Sequence, residues 1–314
     1  RHHLGQLAAP SRLDDHVIIG RQIDFRVACQ PTIHGENIVL RILDREKGVI
    51  PLEGLELPDD SMRLLKIMMA RPEGMILVTR PTGSGKTTTL YSLLNHISNE
   101  RVNIMTLEDP VEYPFPLIRQ PSVNEMAGMN FSDGIKSLMR QDPDIILIGE
   151  MRDRESISIA ITAAETGHLV FGTIHASSAA CTIGRILDLF PRDMHMSLRS
   201  AIAFNMRGII AQKLLPSMRE DIGRVPTVEI MNFNPTVRKL VLEEQDNKLP
   251  EAIRIGTQDG MQDFIMSLKL LVDEEDALHG YEIIRRLEAR SQGYFDFKEG
   301  LIYPRLHRME QEGL

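Results

Sequence analysis

The chain has 314 residues, 42% apolar and 25% charged, with 36 Lys and Arg against 44 Asp and Glu for a net charge of −8. At roughly 150 residues per domain this length predicts two domains or three, and the composition excludes the disordered and fibrous classes. The acidic balance argues against a surface that binds polyphosphates indiscriminately.

Cys29 and Cys181 are the only cysteines, too few for a disulfide framework or a four-thiolate zinc site. No run reaches the roughly 18 apolar residues that span a bilayer. The start, Arg1-His2-His3, has neither an initiator Met nor a secretory signal pattern. The expectation is a soluble, cytosolic protein whose first residue is not its natural start.

The first fifty residues predict a β-rich piece over 1–49. Apolar and polar residues alternate in Ile23-Asp24-Phe25-Arg26-Val27, the pattern of a strand with one buried face. Ile38–Leu43 predicts a second strand, with a turn at His34-Gly35-Glu36-Asn37 between them. The charged segment 44–60 holds Gly48, Pro51, Gly54 and Pro58, so 50–60 is expected to be a linker. From 61 to about 190 helices and strands alternate. Met75–Val78, Ile104–Leu107, Ile145–Ile148 and Leu169–Ile174 are short apolar runs of the kind buried on both faces. Leu90, Leu93, Leu94 and Ile97 make a helical stripe, and helices are predicted near 132–141 and 153–166, the latter with Ile157, Ala160, Ile161 and Ala164 on one face. This alternation predicts an α/β fold with a mostly parallel sheet covered on both sides. Beyond it, 193–215 and 234–272 are expected to be helical, with a short strand at Val228–Met231.

The strongest local signal is Pro81-Thr82-Gly83-Ser84-Gly85-Lys86-Thr87-Thr88, directly after one predicted strand and before the Leu90 helix. This is the setting of a phosphate loop. Glycines let backbone N–H groups wrap phosphate oxygens, and the helix N-terminus adds its positive end. Lys86 would reach the β/γ-phosphates and the Thr87 hydroxyl would hold Mg²⁺. The motif calls for glycine at position 80, where this chain has Arg80. Arg80 precedes Pro81 and is biased toward extended geometry, which a non-glycine residue can occupy. If the loop needs positive φ there, Arg80 strains it and impairs nucleotide binding or turnover.

Three further segments carry a resemblance. They are Thr106-Leu107-Glu108-Asp109-Pro110-Val111-Glu112-Tyr113, Asp144–Asp153 with Gly149-Glu150-Met151-Arg152, and Thr162–His168 continuing to Gly172-Thr173-Ile174-His175. With the phosphate loop, they resemble the aspartate box, Walker B strand and histidine box of the secretion and type IV pilus ATPases, hexameric motors of the RecA-like class. The resemblance covers about 13–272 and implies a RecA-like ATPase domain at 61–272, with ATP and Mg²⁺ as cofactors. It implies Glu112 as the water-activating base and Glu150 as the carboxylate on the metal side, roles that could be exchanged. His168 and His175 would contact the γ-phosphate end. Glu108 is a further catalytic candidate, for which a turn-capping role is as plausible.

Arginines that stabilise transferring phosphate often come from a neighbouring subunit. The resemblance offers Arg26, Arg41 and Arg152 for that role; for the two on strands, solvent-facing strand charges are an equal explanation. The implied assembly is a homo-oligomer, a hexamer, acting on an inner-membrane platform protein from the cytoplasmic side. Leu215–Val225 lacks the cysteines of assembly-type members, while Gln30-Pro31-Thr32-Ile33-His34-Gly35-Glu36 resembles that type. Glu229-Ile230-Met231 and Gly256–Phe264 resemble retraction-type members, so the direction of the motor stays open.

Residues 278–314 read differently. Leu278–Leu287 and Glu299–Leu314 resemble PadR-type winged-helix regulators, which makes 273–314 a truncated winged-helix-like helical tail with Arg305 and Arg308 as candidate DNA contacts. Residues 277–314 hold six basic and six acidic residues, so DNA is not the expected partner, and a small interaction module is favoured. The join near Leu271–Ala277 is abrupt, as in a fusion, a misassembled reading frame or an engineered chain.

Overall fold

A computed structural model describes residues 12–18, 21–44, 50–55, 57–79, 86–123, 131–216 and 224–273. The phosphate-loop residues Arg80–Gly85 and the tail with Arg305 and Arg308 lie outside these. In chain order the principal elements are β1 (Arg12–Ile18), β2 (Arg21–Thr32), β3 (Gly35–Asp44), α1 (Asp59–Met69), β4 (Gly74–Thr79), α2 (Lys86–Ile97), β5 (Ile104–Leu107), β6 (Ile118–Arg119), α3 (Phe131–Leu138) and β7 (Ile145–Ile148). They continue with α4 (Arg154–Glu165), β8 (Leu169–Ile174), α5 (Ala179–Leu187), α6 (His195–Asn205), β9 (Met206–Pro216), β10 (Arg224–Asn232), α7 (Pro235–Leu242), α8 (Leu249–Ile255) and α9 (Phe264–Asp273).

Two compact units divide the chain, one made of residues 1–55 and 87–149, the other of 56–86 and 150–314. In the first unit β1, β2 and β3 form an antiparallel sheet in that order. Its register pairs Arg26 with Arg41 directly across β2 and β3. The same unit holds β7, β5 and β6 as parallel neighbours. The predicted stripe of α2 is buried at Leu90, Leu93 and Leu94, each such side chain contributing about 2 kcal/mol on leaving water.

The segment expected to be a linker is anchored. Leu52 and Leu55 are buried, and Ser92 of α2 donates from Oγ to the carbonyl of Ile50 at 2.7 Å. Two leucines three residues apart on a 3₁₀ turn, Leu52–Leu55, find apolar surroundings that its charged neighbours concealed in the sequence.

In the second unit the order is β10-β9-β4-β8, with β9, β4 and β8 parallel and β10 antiparallel at the edge. Every residue of β4 and of β8 is buried. The predicted face of α4 is buried at Ile157, Ala160, Ile161 and Ala164. Asp153 caps this helix by accepting from Ser156 N at 2.8 Å, and the Ser156 hydroxyl completes a capping box. The expectation of helix over 193–215 holds only to Asn205. Residues 206–216 form β9, whose run Gly208-Ile209-Ile210-Ala211 pairs with β4 on one side and β10 on the other. A short apolar run buried on both faces has no periodicity that separates strand from helix.

Arg199 of α6 is 8% exposed. It donates to both carboxylate oxygens of Asp246, at 2.8 and 2.6 Å, and to the carbonyl of Val241 at 2.9 Å. It thereby ties α6 to the end of α7 and the turn that follows. Replacing Arg199 with Met leaves that carbonyl and one carboxylate without their partner. The expected loss is about 2 kcal/mol of unfolding free energy, read from urea titration; a loss below about 0.5 kcal/mol would show that the pair carries no net stability.

Candidate active site

Parallel strands present their C-terminal ends on one edge, where such sheets place ligand-binding loops. In the second unit Thr79, the last residue of β4, is in register with Ile174, the last of β8. The chain runs from Thr79 into Arg80 and from Ile174 into His175, so the start of the phosphate-loop segment and His175 leave neighbouring strands at one edge. Thr79 Oγ1 also donates to the carbonyl of Ala176 at 3.2 Å. Glu150 joins this edge: its Oε1 lies 2.8 Å from His175 Nε2 and its Oε2 2.5 Å from Arg152 Nη2. The Glu150 carboxylate is 26% exposed, the His175 ring 43% and the Arg152 guanidinium 65%, so this group faces solvent and can meet a ligand.

Glycines make room for these loops. Met151 donates from its N–H to the Thr173 carbonyl at 2.8 Å, and a methyl group on Gly172 would lie 1.9 Å from Met151 Cε. In the first unit Gly149 donates from its N–H to the Leu107 carbonyl at 2.9 Å. A methyl group there would lie 3.1 Å from that carbonyl oxygen and 3.3 Å from Glu108 Cα.

Glu108 follows β5 directly and is 6% exposed. It accepts from Thr106 Oγ1 at 2.6 Å, from the Tyr91 hydroxyl, and from Gln120 Nε2 at 3.4 Å. Burial pushes its carboxyl above the usual range, against the opposing pull of the Thr106, Tyr91 and Gln120 hydrogen bonds. A side chain so enclosed has little access to a substrate. Four residues on, Glu112 is half-buried.

The two histidines are separated by the length of β8. His168 precedes that strand, with Nδ1 2.9 Å from the Ala163 carbonyl and its own carbonyl accepting from Gly74 N at 3.0 Å. It closes the turn after α4, at the opposite strand end from His175. Of the two, only His175 shares the strand edge on which Thr79 ends. Of the nucleotide-binding candidates, Lys86, Thr87 and Thr88 form the start of α2, and Pro81–Gly85 lie outside the described residues. Among the described residues no group of three or more His, Cys, Asp or Glu side chains could cage a metal ion.

Sequence reasoning passed over Tyr91, Gln120 and Glu229. Tyr91 lay beside the Leu90 stripe and read as core. Glu229 carried a signal, a carboxylate inside an apolar strand run, since such groups are seldom buried without a partner. It is 9% exposed and accepts from the backbone N–H of Ala179, at the start of α5, at 2.6 Å.

Comparison with known proteins identifies the family and the fold. The family described as Type II/IV secretion system protein matches residues 10–229, and the chain belongs to that family. The PadR-like family of transcriptional regulators matches residues 268–314. A twitching motility protein of Neisseria gonorrhoeae is 40% identical over 253 residues, covering 79% of this chain and 66% of that protein. Type II secretion system protein E of Xanthomonas campestris pv. campestris is 44% identical over 196 residues, covering 62% of this chain and 34% of that protein. The chain thus spans about two thirds of the first relative and about a third of the second. Among solved structures, the pilus retraction motor PilT with bound ADP matches with a TM-score of 0.70 at 35% identity, covering 84% of this chain and 74% of that one. The α/β fold is accordingly that of the RecA-like ATPases.

Burial pushes the Glu229 carboxyl up to about 7; the bond from Ala179 and the charge of Lys213 pull it down, and Asp263 adds to the rise. Because the folded state holds this proton more tightly than the unfolded chain does, its contribution is complete below about pH 4.5 and is lost as pH rises to about 7. The expected loss, up to about 3 kcal/mol across that window, should disappear in Glu229→Gln. Urea titrations at pH 4.5, 6 and 7.5 check it, and equal pH slopes in the two proteins would contradict it.

Proposed function

We propose that this chain is the ATPase of a type II secretion or type IV pilus machine, coupling Mg-ATP hydrolysis to domain motion that drives pilus or pseudopilus assembly or retraction. The observation that carries the reading is the shared strand edge, where β4 ends on Thr79 beside the end of β8, with His175 next in the chain and 2.8 Å from Glu150. The family match and the similarity to an ADP-bound motor support it.

In this reading the backbone around Gly83–Lys86 binds the phosphates and Lys86 reaches the β/γ-phosphates. Glu112 orients a water and takes its proton as that water attacks the γ-phosphorus. His175 meets the γ-phosphate end, held in orientation by Glu150. Thr87 and Glu150 would hold Mg²⁺. The donor set fits in kind: Thr87 offers a hydroxyl oxygen and Glu150 a carboxylate, both oxygen donors of the sort this hard cation takes. Mg²⁺ usually takes few protein ligands beside water and phosphate oxygens, and when bound it offsets charge on those phosphates. Arg26 and Arg41 would serve a neighbouring subunit's nucleotide. Arg152, already on Glu150 of its own chain, suits that role less.

The assembly is a homo-oligomer, a hexamer, that meets an inner-membrane platform protein from the cytoplasm. Residues 1–49 belong to an N-terminal domain, 50–60 connect it to the ATPase domain at 61–272, and 273–314 form a PadR-like interaction module. The match of that tail to regulators favours a second reading, DNA binding through Arg305 and Arg308, and its balanced charge speaks against it.

Glu112→Gln should lower ATP turnover by about a hundredfold or more while fluorescent ADP binding survives; unchanged turnover would remove the base assignment. Arg80 supports the reading of an impaired scaffold. If that residue is the defect, Arg80→Gly should raise turnover at saturating ATP. No rise from a slow parent chain would clear Arg80.

A further inference from the structure

Buried hydroxyls and carboxyls persist in a core only where they are paired, so the Tyr91–Glu108 contact calls for a reason. Tyr91 is 1% exposed. Its ring stands edge-on to Tyr113 and Phe115, with centroids 5.8 and 5.1 Å away. Phenylalanine would supply all of that packing. The hydroxyl does something further: it donates to Glu108 Oε2 and makes a second hydrogen bond with the backbone of Tyr113. Tyr113 is the residue next to Glu112.

The other partners of Glu108 converge on the same loop. Gln120 reaches Glu108, donates to the Tyr113 carbonyl at 3.0 Å and accepts from Phe115 N at 2.7 Å. Ser122 and Val123 close the loop from the far side by donating to the Glu108 carbonyl at 3.3 and 3.0 Å. Tyr91 in turn sits on α2, the helix that begins with Lys86 and Thr87. It stands about 7.5 Å along the axis from Lys86.

We propose that Tyr91 and Glu108 are positioning residues for hydrolysis: the Tyr91 hydroxyl ties the helix that starts with the phosphate-binding residues to the loop that presents Glu112, fixing the distance between phosphate and base. This rests on the ATPase reading above and deepens it. Burial raises the Tyr91 hydroxyl as well as the Glu108 carboxyl, and the nearby Glu112 charge adds to both. The phenol therefore keeps its proton, and the contact persists as a hydrogen bond through the neutral range.

The test uses the full chain with Tyr91→Phe, which keeps the ring, and Glu108→Gln, which keeps an acceptor. Tyr91→Phe should lower kcat by about tenfold or more through misplaced groups, with KM for ATP changed less than about twofold. Glu108→Gln should retain more activity than Glu108→Ala. Adding Tyr91→Phe to Glu108→Ala should cost less than Tyr91→Phe costs alone, because the shared bond is already gone. Independently of turnover, amide hydrogen exchange over 111–115 should accelerate in Tyr91→Phe. Unchanged exchange with unchanged kcat, or a change in KM alone, would overturn the proposal. Faster exchange in a chain whose unmodified form hydrolyses no ATP would sink the ATPase reading and leave the Tyr91 tie standing.

Discussion

The second unit depends on one constraint, the parallel pairing of β4 with β8 along six buried residues. Hydrogen bonds on both sides of β4 leave it a single register, and slipping by one residue would turn every buried side chain to the opposite face. That register puts Thr79 opposite Ile174, and with it the entry to the phosphate loop beside His175. Glu150 reaches the same place because Met151 hydrogen bonds to Thr173. The grouping of residues at this edge follows from backbone pairing.

Carboxylates divide between two kinds of work according to their depth. Glu150 and Glu112 retain exposure. Glu108 and Glu229 are enclosed, and each holds backbone: Glu108 through the Tyr91 and Gln120 contacts around 113–115, Glu229 through the start of α5. A buried carboxyl with every partner in place is strong in a low-dielectric interior and costly when one partner is lost. That is why such groups suit the support of a site better than its surface.

Much of this was legible in the sequence because parallel strands carry continuous apolar runs. Ile104–Leu107, Ile145–Ile148 and Leu169–Ile174 begin and end in the structure where the runs do. The motifs after them named the strand-end residues. Strand β9 was hidden since Gly208–Ala211 adjoins a true helix and has no period of its own. The anchoring of Leu52 and Leu55 was hidden by charged neighbours. His168 and His175 read as a pair because they flank one strand. Sequence spacing does not say that a six-residue strand carries its ends to opposite edges. Tyr91 was illegible because a hydroxyl at the margin of a leucine stripe announces no partner, and its partner lies across the fold.

The glycines of the site differ in what their neighbours could concede to mutation. At Gly172 the obstacle is the end of Met151, an unbranched side chain with rotatable bonds that can swing aside. At Gly149 the obstacles are a carbonyl oxygen and a Cα, fixed by strand pairing. A change to alanine thus calls for a large swing of one flexible side chain at Gly172, and for a few tenths of an ångström from strand-paired backbone at Gly149.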